Sequence, residues 1–244
     1  MKAVLVALFV LTLTASVAAD DPADVLRAMK QRYGVVTTYT ARFVRQERVA
    51  GVLRPREEAM LKFQRPGRLY LRWVDGPPVG REIIFVPGRD GDNVLVHEPR
   101  GIAGLFTALM TPDNERVREE SRHAVTDIGI GRLVDLVHDN VERARRRDDL
   151  RIVDLGINEE AGRRRRRIEL HFANAEQQGY YAPRIVVVID AQLGLPTGII
   201  AFDADDRLLA LYDYRDVRLN VELGAQDFDP SNPDYSFPRW RVTL

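Results

Sequence analysis

Along most of the chain, apolar and polar residues alternate with a period of two, and a helical period appears in only three places. Residues 39–49, 58–64, 68–75, 81–86 and 94–98 are predicted strands. Between them lie Gly51, Arg65-Pro66-Gly67, Gly76-Pro77-Pro78 and Gly88-Arg89-Asp90-Gly91, all turn chemistry. In 68–75, Leu69, Leu71 and Trp73 share one face while Arg68, Tyr70 and Arg72 share the other, as in a sheet with one side on a core. Strands resume at 150–158, 163–172, 184–190, 196–203 and 208–219. Residues 185–189 are apolar without alternation, the mark of a strand covered on both faces.

The first helical period follows Asp21, a capping residue, and Pro22, which suits a first turn. Val25, Met29 and Tyr33 give it one apolar face, and Gly34 suits its end. Ile102, Leu105, Phe106, Leu109 and Met110 predict a short, apolar helix over 102–110, stopped by Thr111-Pro112. Ile130, Leu133, Val134, Val137, Val141 and Ala144 predict a longer one, with Arg143 and residues 145–147 at its negative end. From Asp227 the chain is rich in Pro, Asn, Asp and aromatics and reads as an extended, docked tail. The expected fold is α+β, mainly β: one large curved antiparallel sheet, an incomplete β-barrel, with helices covering its concave face. It forms a single domain over 20–244, with the docked tail from about 225.

The first nineteen residues read as a secretory signal. Lys2 is the basic start, residues 3–13 are nearly all apolar, and Val17-Ala18-Ala19 offers a cleavage site. The mature protein is expected to be exported to the periplasm. No cysteine stands at the cleavage point for a lipid anchor, and no other segment approaches spanning length.

Composition narrows the chemistry. With 36 basic and 36 acidic residues among 244, no net charge is available for a surface built to hold nucleic acid. The absence of cysteine excludes disulfide frameworks, thiol nucleophiles and cysteine metal sites. The four histidines, His97, His123, His138 and His171, are not at metal-ligand spacing, and no Gly-x-Ser-x-Gly elbow or phosphate loop is present. Asp90-Gly91-Asp92-Asn93 and Asp203-Ala204-Asp205-Asp206 resemble calcium loops, but their twelfth positions are Gly101 and Tyr214, so hairpin turns are expected. No catalytic residue, metal or cofactor is therefore assigned. The arginine run 163–167 suits anionic headgroups, lipopolysaccharide or an acidic partner, or else a charged, solvated edge strand; the edge strand is favoured.

Phe43-Val44-Arg45-Gln46-Glu47 and Leu61-Lys62-Phe63-Gln64-Arg65-Pro66-Gly67-Arg68-Leu69-Tyr70-Leu71-Arg72-Trp73 resemble the start of the periplasmic lipoprotein carriers LolA and LolB. Gly80 to Pro99, Asp190 to Asp203 and Tyr212-Asp213-Tyr214 resemble their later strands. The ending Asp227-Phe228-Asp229-Pro230-Ser231-Asn232-Pro233-Asp234-Tyr235-Ser236-Phe237 is similar to that of an exported bacterial family of unknown function with this fold. The resemblance implies a half-barrel with helices as a lid over an acyl-chain cavity. It also implies that Arg65 contacts the lid, a lipid or acylated protein as cargo, and room for a membrane-complex partner in the envelope. Residues 128–167 and the tail depart from the carriers.

The reading that follows is a periplasmic carrier or binding protein, not an enzyme, whose cavity is lined by Leu69, Leu71, Trp73, Ile83, Phe85, Leu105, Phe106 and Leu109. Replacing Leu105 and Phe106 with Asp is expected to abolish cargo binding without unfolding the sheet. Two alternatives stand beside it: an envelope hydrolase using concave-face carboxylates, and a structural or assembly module whose concave face is simply filled.

Overall fold

The opening helix forms where its signals lie. In the computed structural model, which describes residues 21–160 and 162–243, the Asp21 carboxylate accepts the Ala23 N–H at 2.7 Å and α1 runs over Pro22–Gly34. The expected signal sequence lies outside the described residues. Strands follow as β1 (Thr38–Val49), β2 (Val52–Leu53), β3 (Glu57–Gln64), β4 (Arg68–Asp75), β5 (Glu82–Phe85), β6 (Val94–His97) and β7 (Thr107–Met110). Helices α2 (Glu115–Glu120) and α3 (Ile130–Arg145) precede β8 (Leu150–Glu160) and β9 (Arg163–Phe172). Then come α4 (Ala175–Gln178), β10 (Arg184–Asp190), β11 (Leu195–Phe202), β12 (Leu208–Leu219) and β13 (Arg241–Thr243).

One open sheet carries all of these strands, in the order β13-β7-β6-β5-β4-β3-β1-β12-β11-β10-β9-β8, with β2 folded back on β1. Every pairing is antiparallel except the parallel β13–β7 contact. The expected curved antiparallel sheet is thus present. The central strand is β1, which sets Phe43 opposite Ala59 on one side and Tyr214 on the other.

Alternation divides the side chains between two cores. Leu69, Leu71 and Trp73 of β4 and Ile83 and Phe85 of β5 face the concave side. There they join one continuous apolar core with Leu26 and Met29 of α1 and Leu133, Val137 and Val141 of α3. Tyr70, Ile84 and Leu95 point the other way and are covered by the tail, whose Phe228 is buried between them. Tyr235 stacks on Tyr70 with ring centroids 4.0 Å apart, and Lys62 Nζ donates to Asp227 (2.7 Å) and the Tyr235 hydroxyl (3.0 Å). Arg89 donates to the Phe228 carbonyl at 2.7 Å.

Two expectations are corrected. Residues 102–110 are not a helix: a single 3-10 turn at Ile102–Leu105 leads into β7. Gly101, with φ of 68°, turns the chain, and Thr107 to Met110 also fit a period of two, with Ala108 and Met110 concave and Leu109 convex. The arginine run is not on an edge strand either, because β9 lies between β8 and β10. Its charges form ion pairs across the sheet: Arg163 with Asp190 (3.2 Å), Arg165 with Asp213 (2.8 Å), Arg166 with Asp154 (2.6 Å), and Arg167 with Glu160. The Asp203 turn is as expected, since its carboxylate accepts the backbone N–H groups of Asp205 and Arg207.

Candidate ligand-binding cavity

Polar residues on an apolar face mark the site. On β1, Arg45 and Glu47 share the concave face with Phe43, and on β12 Tyr212 and Tyr214 lie beside them. Leu133, Leu136 and Asp139 of α3, with His123, Asp127 and Ile128 of the preceding segment, close the other side. The cavity between them is partly open to the outside and holds about 210 Å³, below the roughly 300–1,000 Å³ of ordinary small-molecule pockets.

One end of this cavity is aromatic and aliphatic, with Phe43 stacked on Tyr214 at 4.9 Å. The other end is a hydrogen-bonded group. The Tyr212 hydroxyl donates to Glu47, which also accepts the Arg122 N–H at 3.3 Å. Tyr181 lies 3.4 Å from the Tyr212 hydroxyl and 3.2 Å from His123 Nε2. Behind them Glu57 accepts both Arg45 Nε (2.8 Å) and the Trp73 indole N–H (2.9 Å). Burial pushes the Tyr212 and Tyr181 hydroxyls up and the His123 imidazolium down. Near neutral pH the tyrosines are therefore protonated donors and His123 is uncharged.

A second cavity of about 350 Å³ lies between α1, the turn after β3 and α3, lined by Tyr33, Phe63, Arg65, Leu69 and Gly129. Ile128, Arg132 and Asp135 border both cavities, so the start of α3 is the partition between them. Its cap comes from the sheet rather than from its own sequence. Gly129 N–H donates to the Tyr214 hydroxyl at 2.8 Å, and Ile130 N–H donates to the Tyr39 hydroxyl at 2.9 Å. Gly129 sits at φ 143°, and a Cβ there would lie 3.0 Å from the Tyr39 oxygen. This close approach is what lets both hydroxyls reach the helix end.

Loss of these two bonds is expected to loosen the partition without opening the fold. Tyr39→Phe and Tyr214→Phe should each cost about 1 kcal/mol. In the double variant, amide exchange at residues 129–134 should accelerate roughly tenfold or more, while exchange in β10 stays unchanged. Unchanged exchange at 129–134 would show that the hydroxyls do not hold the helix start.

The residues expected to line a cavity are distributed as follows. Leu69, Leu71, Trp73, Ile83 and Phe85 are buried in the concave core, and of these Leu69 borders the second cavity. Phe106 is half-buried against the same core, Leu105 is exposed, and Leu109 lies on the convex side beneath the tail. Arg65 stacks on the Tyr33 ring at 4.5 Å and donates to the carbonyls of Tyr33 (2.7 Å) and Gly34 (3.1 Å). It thereby closes the C-terminal end of α1; its contact is with the opening helix and not with residues 102–105. Sequence reasoning missed Arg45, Glu47, His123, Tyr181 and Tyr212. Two charges alternating in phase with Phe43 on a core-facing strand were the available signal.

Comparison with solved structures gives likeness at low identity. MucB is 13% identical, with 86% of this chain and 63% of that chain covered and a TM-score of 0.50. Mycobacterium tuberculosis lipoprotein LppX is 10% identical, covering 86% and 100%, with a TM-score of 0.49. A LolA superfamily protein from Nitrosomonas europaea is 9% identical, covering 86% and 98%, with a TM-score of 0.35. The MucB likeness is one of fold alone, and this chain spans under two thirds of MucB's length. None of the curated proteins compared with the chain matches it in sequence. One family does match, over residues 36–237, and its description as a protein of unknown function agrees with the ending at 227–237: the chain belongs to the DUF1571 family.

Proposed function

We propose that the chain is a periplasmic carrier or binding protein that admits an acyl chain, of a lipid or of a lipidated protein, to its concave face at the start of α3. The observation that carries this reading is the partition: two cavities separated by residues 128–135, whose helix start is held by two tyrosine hydroxyls. Displacing that segment joins the two spaces into one trough floored by Phe43, Phe63, Leu69 and Tyr214. Each buried CH₂ contributes about 0.8 kcal/mol, so about eight methylenes outweigh the two lost hydrogen bonds at about 1 kcal/mol each and leave a margin for exposing Ile128 and Leu136. Glu47 is engaged by Tyr212 and Arg122, which fits a structural part of the cavity wall better than a general base. Among the described residues no helix is long and apolar enough to cross a membrane.

The small volume of the first cavity favours a second reading, in which the concave face is filled for good and the protein is an assembly module. One experiment separates them. Native mass spectrometry of protein purified gently from the periplasm, followed by organic extraction, should find a stoichiometric acylated species. Leu136→Trp, which fills the first cavity from a half-buried position, should reduce uptake of a fluorescent fatty-acyl probe roughly tenfold while the melting temperature holds. An empty protein that takes up no probe supports the filled module instead.

A further inference from the structure

Hydrogen-bond donors are left over on the wall of the first cavity. Arg45, 9% exposed, lines that cavity from β1. Its Nε donates to Glu57 at 2.8 Å. Its Nη1 lies 3.9 Å from Glu47, too far to bond, and neither terminal nitrogen makes a hydrogen bond with any described residue. Ser121, 5% exposed, lines the same cavity. Its Oγ accepts the His123 N–H at 3.3 Å, while its own proton has no acceptor among the described residues. The neighbouring acids are already engaged, Glu47 by the Tyr212 hydroxyl and the Arg122 N–H, and Asp127 by Arg132. A buried guanidinium and hydroxyl with idle donors call for an acceptor from the ligand.

Charge decides which kind of acceptor fits. Arginine usually meets a carboxylate or a phosphate, but Arg45 is already flanked by Glu47 and Glu57. Among the lining groups, Arg45 and Arg132 stand against Glu47, Asp127, Asp135 and Asp139. Arg122 is exposed and lies outside this lining, over the Tyr181 ring at 5.9 Å. An anion would therefore enter a partly closed space against a surplus of negative charge. A neutral carbonyl oxygen takes the same hydrogen bonds and adds no charge. Phe43, Tyr214, Leu133 and Leu136 supply the apolar wall that the adjoining chain needs.

We infer that the polar end of the first cavity reads the neutral carbonyl of an ester- or amide-linked acyl group, with the Arg45 terminal nitrogens and the Ser121 hydroxyl as its donors, and turns away the free fatty acid. The inference rests on the carrier reading and deepens it, since it selects a molecule already acylated over the acid from which it is made.

Matched amphiphiles test it by calorimetric titration of the mature protein near neutral pH, below micelle formation. The probes are 1-dodecanoylglycerol, 1-O-dodecylglycerol and dodecanoate. The ester should bind roughly tenfold more tightly than the ether, although the ether is the more apolar, because only the ester answers the donors. Dodecanoate should bind roughly tenfold less tightly than the ester. Ser121→Ala should cut the lead of the ester over the ether about threefold, and Arg45→Met/Glu57→Gln should abolish it. Glu47→Gln keeps its shape and an acceptor for Tyr212. It should strengthen dodecanoate binding roughly fivefold while the ratio of ester to ether holds. An unchanged circular dichroism melt of Ser121→Ala and Glu47→Gln shows that these effects are local. N-dodecanoylglycinamide separates the two sources of such a carbonyl. Tighter binding than the ester assigns an acylated protein, weaker binding assigns a glyceride lipid, and either sustains the inference. Equal binding of ester and ether, or dodecanoate binding as tight as the ester, overturns the inference while the carrier reading stands. Failure of every probe to bind removes the carrier reading with it.

Discussion

Phe228→Ala is expected to lower the unfolding free energy by about 3–5 kcal/mol, the range for removing a fully buried phenylalanine. The residue is 1% exposed and fills the convex core between Tyr70, Ile84 and Leu95. Strands β4, β5 and β6 beneath it are each paired on both sides, so little can collapse into the space the ring leaves. At a chain length near 240, each kcal/mol moves the melting temperature by about 2–4 °C, so a drop of roughly 10 °C should be visible by circular dichroism. Urea unfolding should show a lower midpoint with an unchanged slope. A loss under about 1 kcal/mol would mean that the tail opens separately from the sheet.

Arg45→Met should be nearly as damaging, about 3–5 kcal/mol, because it leaves a buried carboxylate without its cation. Arg45 and Glu57 are both buried, 2.8 Å apart, and Glu57 also accepts the Trp73 indole N–H. The partner change Arg45→Met/Glu57→Gln removes the charge while keeping an acceptor for Trp73. It should recover at least about 2 kcal/mol of the loss, measured in a double-mutant cycle by denaturant titration. No recovery would show that the arginine acts through its packing over the Trp73 ring, 5.8 Å from the centroid, rather than through the pair.

Much of the fold was legible because alternation is a local property. Leu69, Leu71 and Trp73 against Tyr70 already assigned the two faces of β4, and Ile83 and Phe85 against Ile84 repeated the assignment. Residues 102–110 misled because a short apolar run satisfies both periods, and only its pairing with β6 and β13 decides between them. The arginine run misled for a related reason. Its neighbours Asp154, Asp190 and Asp213 come from three different strands, so that from sequence an interior ladder of ion pairs and a solvated edge look alike. The candidate site was partly readable, in the inward phase of Arg45 and Glu47. Its decisive feature was not, because the hydroxyls that cap α3 belong to residues 85 and 91 positions away in the chain. No local rule names a tyrosine as a helix cap.

The pairing order also sets a timetable. Strand β1 is sealed on one side by β12, and the outer surface of β4 to β6 is sealed by Phe228 and Tyr235. A chain that emerges amino end first has its early strands ready long before the segments that complete them, and pairing across such separations is slow. Until the last residues arrive, Tyr70, Ile84 and Leu95 stand open to any other unfinished copy, which is the state most prone to aggregate. The carboxy-terminal segment is thus the last piece of the convex core, and a chain cut short before Phe228 would leave that apolar surface uncovered.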